Sequence, residues 1–442
     1  MPDRERWKSK FGFIAASMGS AVGLGNIWLF TFRAGQNGGA AFLIPYFIFL
    51  FLAGIIGLTI EWGLGRSQDG GPIKAFESTG MPFGKYLGII PNLTVLLIPA
   101  FYLSIIGWSL RYFVGSLTGS AVTSNPGPYF GSLANQPIAI VWAGVALFLT
   151  MGAIYFGVQK GIERANMVLL PTLFFLIIIM AIWSVSLEGA YEGIEFFMSP
   201  DMSKVMEPQT WIIALSQAFF TLSLVGGSMV IYGSYLKEND DINLSTISVA
   251  FGNTTVAIMS GFVIFPAVFA FGVDPNAGPP LVFLTLPKIF ASMTGGRIFA
   301  IMFFLALSAA GISSSISMTE VNVDALMDWF GWSRERSSVV MGVVVFVLMA
   351  PAAVDPSVFD LYVEIGTVWL LAIGAFLAAV AFAWYYGAER AREHINSTSY
   401  FQMGRWWEPW VKFVYPAVIV LTLMWSVEWI RKPLLQLING GG

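Results

Sequence analysis

The chain has 442 residues, of which 56% are hydrophobic and 11% are charged. An average soluble domain carries about 25% charged residues, so this composition excludes a soluble protein and indicates a polytopic membrane protein. The net charge of −3 argues against a nucleic-acid partner, and the absence of cysteine excludes disulfides, thiolate-bound metals and a cysteine nucleophile.

Eleven apolar segments have the length, roughly 20 residues, that crosses a bilayer as a helix. In chain order they are 11–36, 41–66, 87–115, 137–157, 165–187, 211–236, 243–272, 297–328, 337–353, 358–388 and 410–430. The longest of them must tilt or extend beyond the hydrocarbon. We therefore predict an all-α protein with eleven spans.

The first and sixth spans are each interrupted at the middle, by SAVGLGN at 20–26 and by TLSLVGG at 221–227. A helix in lipid bonds its backbone polar groups internally, and irregular backbone is tolerated there only where it lines a protein cavity. Half-helix N-termini offer N–H groups to anions, and freed carbonyls can bind cations. The two breaks therefore predict a buried polar site.

The positions of the breaks predict the domain organisation. Four intact spans separate the broken ones, which suggests two five-helix halves, and because five is odd the second half would be inverted relative to the first. We divide the chain into a cytoplasmic segment (1–10), a first repeat (11–187), a second repeat (188–388), and a region (389–442) with a cytoplasmic loop, the eleventh span and a short tail.

The distribution of positive charge predicts the orientation. Of the 23 Lys and Arg residues, 16 fall on the N-terminal side of the membrane and 7 on the other. Because cytoplasmic loops carry an excess of these residues, the N-terminus should be cytoplasmic, and an odd number of spans then places the C-terminus outside. We expect a multi-pass protein of the plasma membrane.

Several polar residues lie within the predicted spans. The run 308–315 (SAAGISSS) of the eighth span contains the adjacent hydroxyls Ser313 and Ser314. An isolated membrane serine usually bonds a carbonyl one turn back, but here a broken helix accompanies the pair, which favours Na⁺ coordination by hydroxyls and carbonyls. Asn26, Thr221 and Asn253 form a second candidate cation group.

Two further polar residues complete the analysis from individual residues. Glu61 in the second span should face the protein interior and accept hydrogen bonds from N–H groups that a break sets free. His394, the only histidine, is expected to be solvated on the cytoplasmic side. Nothing in the sequence supports an enzyme.

The polar motifs as a set resemble the neurotransmitter:sodium symporter family. The resemblance rests on GSAVGLGNIW at 19–28, NGGAAFLIPY at 37–46, Glu61-Trp62 through Gly65-Arg66, KGIER at 160–164 and QAFFTLS at 217–223. It covers nearly the whole chain, apart from a twelfth span that many members carry. It implies the LeuT fold, with a 5+5 inverted repeat, discontinuous first and sixth helices, and an additional eleventh span.

The resemblance also implies particular ligand sites. One sodium ion would be bound, together with the substrate carboxylate, by the Ala21 carbonyl, Asn26, Thr221 and Asn253. A second would be bound by the carbonyls of Gly19, Val22 and Ala310 and by the hydroxyls of Ser313 and Ser314. The substrate would contact Ala21, Gly25, Ile98, Tyr102, Phe220, Thr221, Ser223, Val225, Gly226 and Met318, with Tyr102 on its carboxylate.

The resemblance likewise implies gates on both sides of the site. The inner gate would pair Arg4 with Asp328, near Trp7, Ser234 and Tyr235. The usual outer-gate arginine is replaced by Leu29. Arg33 lies one turn further out on the same face, so we hypothesise a displaced outer gate between Arg33 and Asp360.

Two departures from the family pattern leave properties open. Chloride-dependent members of the family carry Ser, and chloride-independent members carry an acid or another polar group, at the position of Ala257. Tyr46 and Gln217 match the family pattern, so chloride dependence is open. Val225 replaces a glycine and Gly226 replaces a common aromatic residue; the two changes oppose each other in volume, so substrate size is open.

These observations predict a sodium-coupled symporter that imports a neutral, hydrophobic or aromatic amino acid by alternating access. Position 23 is Gly where monoamine carriers of the family have Asp, which favours a substrate that brings its own carboxylate. The alternatives are a carrier for a small non-proteinogenic amine acid or betaine, and a transport-inactive amino-acid sensor.

Overall fold

The computed structural model describes residues 5–272 and 282–426, and this part of the chain is almost entirely helical. We number the helices of the predicted spans α1 (Lys10–Ala21), α2 (Gly25–Gln36), α3 (Ala40–Gln68), α4 (Gly84–Thr118), α5 (Pro137–Tyr155), α6 (Val158–Val185), α7 (Pro208–Thr221), α8 (Ser228–Ser234), α9 (Ile242–Ala270), α10 (Gly296–Phe330), α11 (Arg334–Val354), α12 (Pro356–Tyr385) and α13 (Tyr415–Ser426). Shorter helices in the connections include Pro72–Ser78, Gly127–Gly131, Ala190–Met198, Thr285–Ser292 and Ala388–Asn396.

Within the described residues, eight helices are long and apolar enough to cross a membrane, or nine if α1 and α2 form one bent span. The predicted eleven spans would add α7 with α8, and α13, which this criterion does not include. The number eleven therefore stays a prediction.

The first predicted break lies between α1 and α2, whose axes differ by 53°. α1 ends at Ala21 and α2 begins at Gly25. Glycine is required here because neighbouring side chains approach the backbone closely: a Cβ at Gly25 would lie 2.7 Å from Cε1 of Phe220, and a Cβ at Gly23 would lie 2.7 Å from the Tyr102 hydroxyl. The break is thus packed against the protein interior.

The second predicted break covers the non-helical residues 222–227 between α7 and α8. Two residues in it, Ser223 (φ 54°) and Gly226 (φ 68°), adopt left-handed backbone. Gly226 backs onto the carbonyl of Gly374 in α12, where a Cβ would collide. Oε1 of the buried Glu61 accepts a hydrogen bond of 2.8 Å from the Gly226 N–H, so a side chain from α3 satisfies one backbone donor that the break sets free.

Long helices surround both breaks. α4 packs along α10, α3 packs against α8, and α1 packs against α6 and α10. Every residue of α1 from Ala15 to Ala21 is buried, as is every residue of α8. The two breaks therefore face each other at the centre of the helix bundle.

The structure corrects two predictions outside the breaks. The fifth span begins at Val158, not at 165. The charged residues before 165 belong to the helix because Glu163 is buried and has partners. Its carboxylate accepts hydrogen bonds from the Lys8 N–H (2.8 Å) and the Ser9 hydroxyl (2.7 Å). His394 is not fully solvated: it is half-buried, and its Nε2 accepts a hydrogen bond of 3.1 Å from Nε of Arg66.

Two predicted features lie outside the described residues: the gate residue Arg4 and the short C-terminal tail.

Candidate substrate and cation site

A cavity of about 40 Å³ lies between the two breaks. Of the ten residues predicted to contact the substrate, nine line it: Ala21, Gly25, Ile98, Tyr102, Phe220, Thr221, Ser223, Val225 and Met318. None of the described residues that line the cavity carries a charge. Gly226, the tenth residue, is not among those that line the cavity, and a Cβ added to it would collide with the carbonyl of Gly374.

Tyr102 orients the first break towards the cavity. Its side chain is buried in α4, and its hydroxyl accepts a hydrogen bond of 2.9 Å from the backbone N–H of Leu24. A phenol that accepts from the backbone in this way retains its own proton for donation. The site therefore offers a hydroxyl donor beside an irregular stretch of backbone.

Four residues form the first oxygen cluster: Ala21, Asn26, Thr221 and Asn253. Asn26 donates 2.8 Å to Oδ1 of Asn253, and its own Oδ1 accepts from the Gly23 N–H at 3.2 Å. The amide end of Asn253 that faces the breaks lies 3.2 Å from the Ala21 carbonyl and 3.1 Å from the Thr221 carbonyl. With Oδ1 of Asn253 at that end, it and the carbonyl oxygens of Ala21 and Thr221 face one another. A bound cation would stabilise this arrangement of three oxygens.

Five residues form the second oxygen cluster: Gly19, Ser20, Ala310, Ser313 and Ser314. The Ser314 hydroxyl, on α10, lies 3.1 Å from the Ser20 carbonyl and 3.3 Å from the Gly19 carbonyl of α1. The Ser313 hydroxyl donates to the Ala310 carbonyl at 2.9 Å. Val22, also predicted here, is the first residue after α1. These neutral hydroxyl and carbonyl oxygens suit a hard monovalent cation such as Na⁺.

A vestibule of about 440 Å³ lies above the cavity, on the side opposite the N-terminus. Phe220 and Tyr102 line both spaces, so their side chains lie at the junction. Arg33 and Asp360 both line the vestibule, but in the described structure no ion pair joins them. Instead, Arg33 donates 2.8 Å to Oε1 of Gln217. The displaced outer gate is therefore not formed in this open vestibule.

The N-terminal face of the bundle is closed by residues that precede α1. Trp7 is buried, and its indole N–H donates 3.1 Å to the Tyr232 carbonyl. Arg6 donates to the carbonyls of Ser234 (3.1 Å) and Leu236 (2.6 Å). The predicted inner-gate neighbours Trp7, Ser234 and Tyr235 are thus together. Asp328 is exposed at the end of α10.

Residues that the sequence analysis missed also line the cavity. Ser228 begins α8 and Leu371 comes from α12. Ser228 follows directly on the second break and could have been found from that position. Nothing in the sequence marks Leu371, because it lies in an uninterrupted apolar run.

Comparisons with known proteins agree with this geometry. The model of the sodium:neurotransmitter symporter family matches residues 4–125 and 135–436. An uncharacterized sodium-dependent transporter of Methanocaldococcus jannaschii is 32% identical over 94% of this chain and 89% of its own length. The uncharacterized sodium-dependent transporter YhdH of Bacillus subtilis is 37% identical over 80% of each chain.

A solved structure extends the comparison to the fold. The crystal structure of MhsT in complex with L-phenylalanine superimposes with a TM-score of 0.87 and 37% identity, covering 96% of this chain and 100% of MhsT. The prediction of the LeuT fold is thereby confirmed, and so is the prediction that the protein is a transporter and not an enzyme. The chain is a multi-pass membrane protein that belongs to the sodium:neurotransmitter symporter family.

Proposed function

We propose that the protein imports a neutral, hydrophobic or aromatic amino acid by symport with sodium ions. The observation that carries this proposal is a buried cavity without charged lining side chains, which joins irregular backbone and the Tyr102 hydroxyl to an apolar wall. Ile98, Val225, Met318 and Leu371 contribute to that wall. A zwitterionic amino acid fits this cavity. Backbone groups and a cation satisfy its ammonium and carboxylate groups, while its side chain is buried against apolar atoms.

The substrate carboxylate would lie between Tyr102 and the first oxygen cluster. A sodium ion bound by Ala21, Asn26, Thr221 and Asn253 would then share the carboxylate oxygen, so that each ligand raises the affinity of the other. The second oxygen cluster would bind a second sodium ion and join α1 to α10 through Ser314. That MhsT is solved with L-phenylalanine supports an amino acid as the substrate.

The difference between the two faces of the bundle supports alternating access. In the conformation described, the vestibule leads to Phe220, while Trp7 and Arg6 close the N-terminal face. We propose that the N-terminus is cytoplasmic and that α1 and α2 move together with α7 and α8 relative to the other helices. When the vestibule closes, Arg33 would change its partner from Gln217 to Asp360. Arg4 and Asp328 would open when the N-terminal face opens.

Binding and exchange experiments test the proposal. The purified protein is screened by scintillation proximity against all proteinogenic amino acids and betaine, with sodium and with potassium in its place. We expect sodium-dependent binding of one or more neutral amino acids, followed by sodium-dependent counterflow in proteoliposomes. Binding without counterflow would identify a sensor, and binding of betaine alone would identify the other alternative; either result would overturn the proposal.

A further inference from the structure

A buried amide oxygen near the second oxygen cluster has no hydrogen-bond partner. Asn166 lies on α6 and is fully buried. Its Nδ2 donates 2.9 Å to the carbonyl of Ile162, one turn earlier on the same helix. No donor in residues 5–272 and 282–426 bonds its Oδ1. Leaving an acceptor buried and unpaired costs free energy, so such an atom calls for a partner.

The oxygen lies beside the candidate cation ligands. A Cβ placed on Gly19 would collide with Oδ1 of Asn166 and would lie 3.2 Å from Cβ of Ser313. Gly19 and Ser313 both belong to the second oxygen cluster. Because the amide is held by its Nδ2 bond to Ile162, its oxygen faces α1.

Asn166 also lies on the N-terminal side of the cluster. It is one turn after Glu163, whose carboxylate holds the residues that precede α1. A cation that left the second cluster along the interface between α1 and α6 would therefore meet Oδ1 of Asn166 before it reached Glu163. An amide oxygen is a neutral, hard ligand of the kind that the cluster itself offers.

We propose that Oδ1 of Asn166 binds sodium in transit between the second oxygen cluster and the N-terminal face. The inference rests on the proposed function, since it requires a sodium ion in that cluster. It assigns Asn166 to ion release and not to the resting site.

Two variants test this role. In Asn166→Leu the side chain keeps a similar volume but loses the oxygen, so net sodium-driven uptake should slow about tenfold. Counterflow with saturating sodium on both sides does not require sodium release, and it should stay within about twofold of wild type. In Asn166→Asp a carboxylate holds the departing ion more tightly than an amide does, so the release of ²²Na⁺ from preloaded protein at pH 8 should slow at least about tenfold.

Ser184→Ala is the matched control, because Ser184 is a buried polar residue on the same helix, 18 positions further on, that bonds the Val263 carbonyl. It should change neither readout. Equal slowing of uptake and counterflow by Asn166→Leu, or an unchanged rate of ²²Na⁺ release from Asn166→Asp, would overturn the inference. If Asn166→Leu does not fold, the release rate of Asn166→Asp decides. A wild-type protein that binds no sodium would overturn the proposed function as well, which separates the two failures.

Discussion

Replacing Tyr102 by phenylalanine tests the proposed carboxylate site directly. The variant removes one oxygen that accepts from the Leu24 N–H at 2.9 Å and that, in the proposed complex, donates to the substrate. A hydrogen bond to a charged group contributes about 1.5–3 kcal/mol. We therefore expect substrate affinity to fall about 10- to 150-fold, since each 1.4 kcal/mol is a factor of about ten.

The same substitution should have a separate effect on stability. The Leu24 N–H loses its partner with and without substrate, so this loss cancels in the affinity but lowers the free energy of unfolding by about 1–3 kcal/mol. Sodium-dependent binding of the preferred amino acid by scintillation proximity measures the first effect. The melting temperature of the purified protein measures the second.

Tyr112→Phe is the matched control. Tyr112 is a buried tyrosine on the same helix whose hydroxyl donates 2.7 Å to the Phe283 carbonyl, and it does not line the cavity. The control should lower the melting temperature and leave affinity unchanged. If Tyr102→Phe bound substrate within about twofold of wild type, or if Tyr112→Phe weakened binding as much, our account of the carboxylate site would be refuted.

Three further substitutions test the pocket, the second oxygen cluster and the connection between α12 and α13. Val225→Gly removes three carbon atoms from the cavity wall. In competition binding, the affinity for amino acids with bulky side chains relative to those with small ones should therefore rise by about 2 kcal/mol, or about 30-fold. An unchanged order of affinities would show that Val225 does not limit substrate size. Ser314→Ala removes the hydroxyl that lies 3.1 Å from the Ser20 carbonyl and should lower sodium affinity about tenfold. The control is Ser315→Ala, which should leave sodium affinity unchanged because the Ser315 hydroxyl pairs with Thr150 on another face of the helix. Equal affinities in both variants would remove Ser314 from the site. Burial lowers the pKa of His394 from 6.5 to about 4, with a further contribution from the charge of Arg66, so the unfolded chain takes up a proton near pH 6.5 and the folded protein does so only near pH 4. The resulting stabilisation is complete above pH 6.5 and is lost as the pH falls towards 4. His394→Gln keeps an acceptor but does not titrate, so its melting temperature should fall less between pH 7 and pH 5 than that of wild type. Equal decreases in melting temperature would contradict this pKa assignment.

Local sequence determines much of this protein because lipid restricts backbone structure so strongly. An apolar run of sufficient length has to become a helix, and the glycine-rich runs at 20–26 and 221–227 depart from that rule where the helices break. Glu61 is too costly to bury without partners, and its position alone predicted that it would accept from a freed N–H group.

Tertiary structure decided what each residue near the breaks contacts. Gly226 packs against Gly374, Arg33 bonds Gln217 and not Asp360, and Leu371 lines the cavity from an apolar run without any motif. In each case the partner is on a helix that is distant in the chain. Such contacts depend on how the helices pack and on which face of the bundle is open, and no local pattern of residues contains that information.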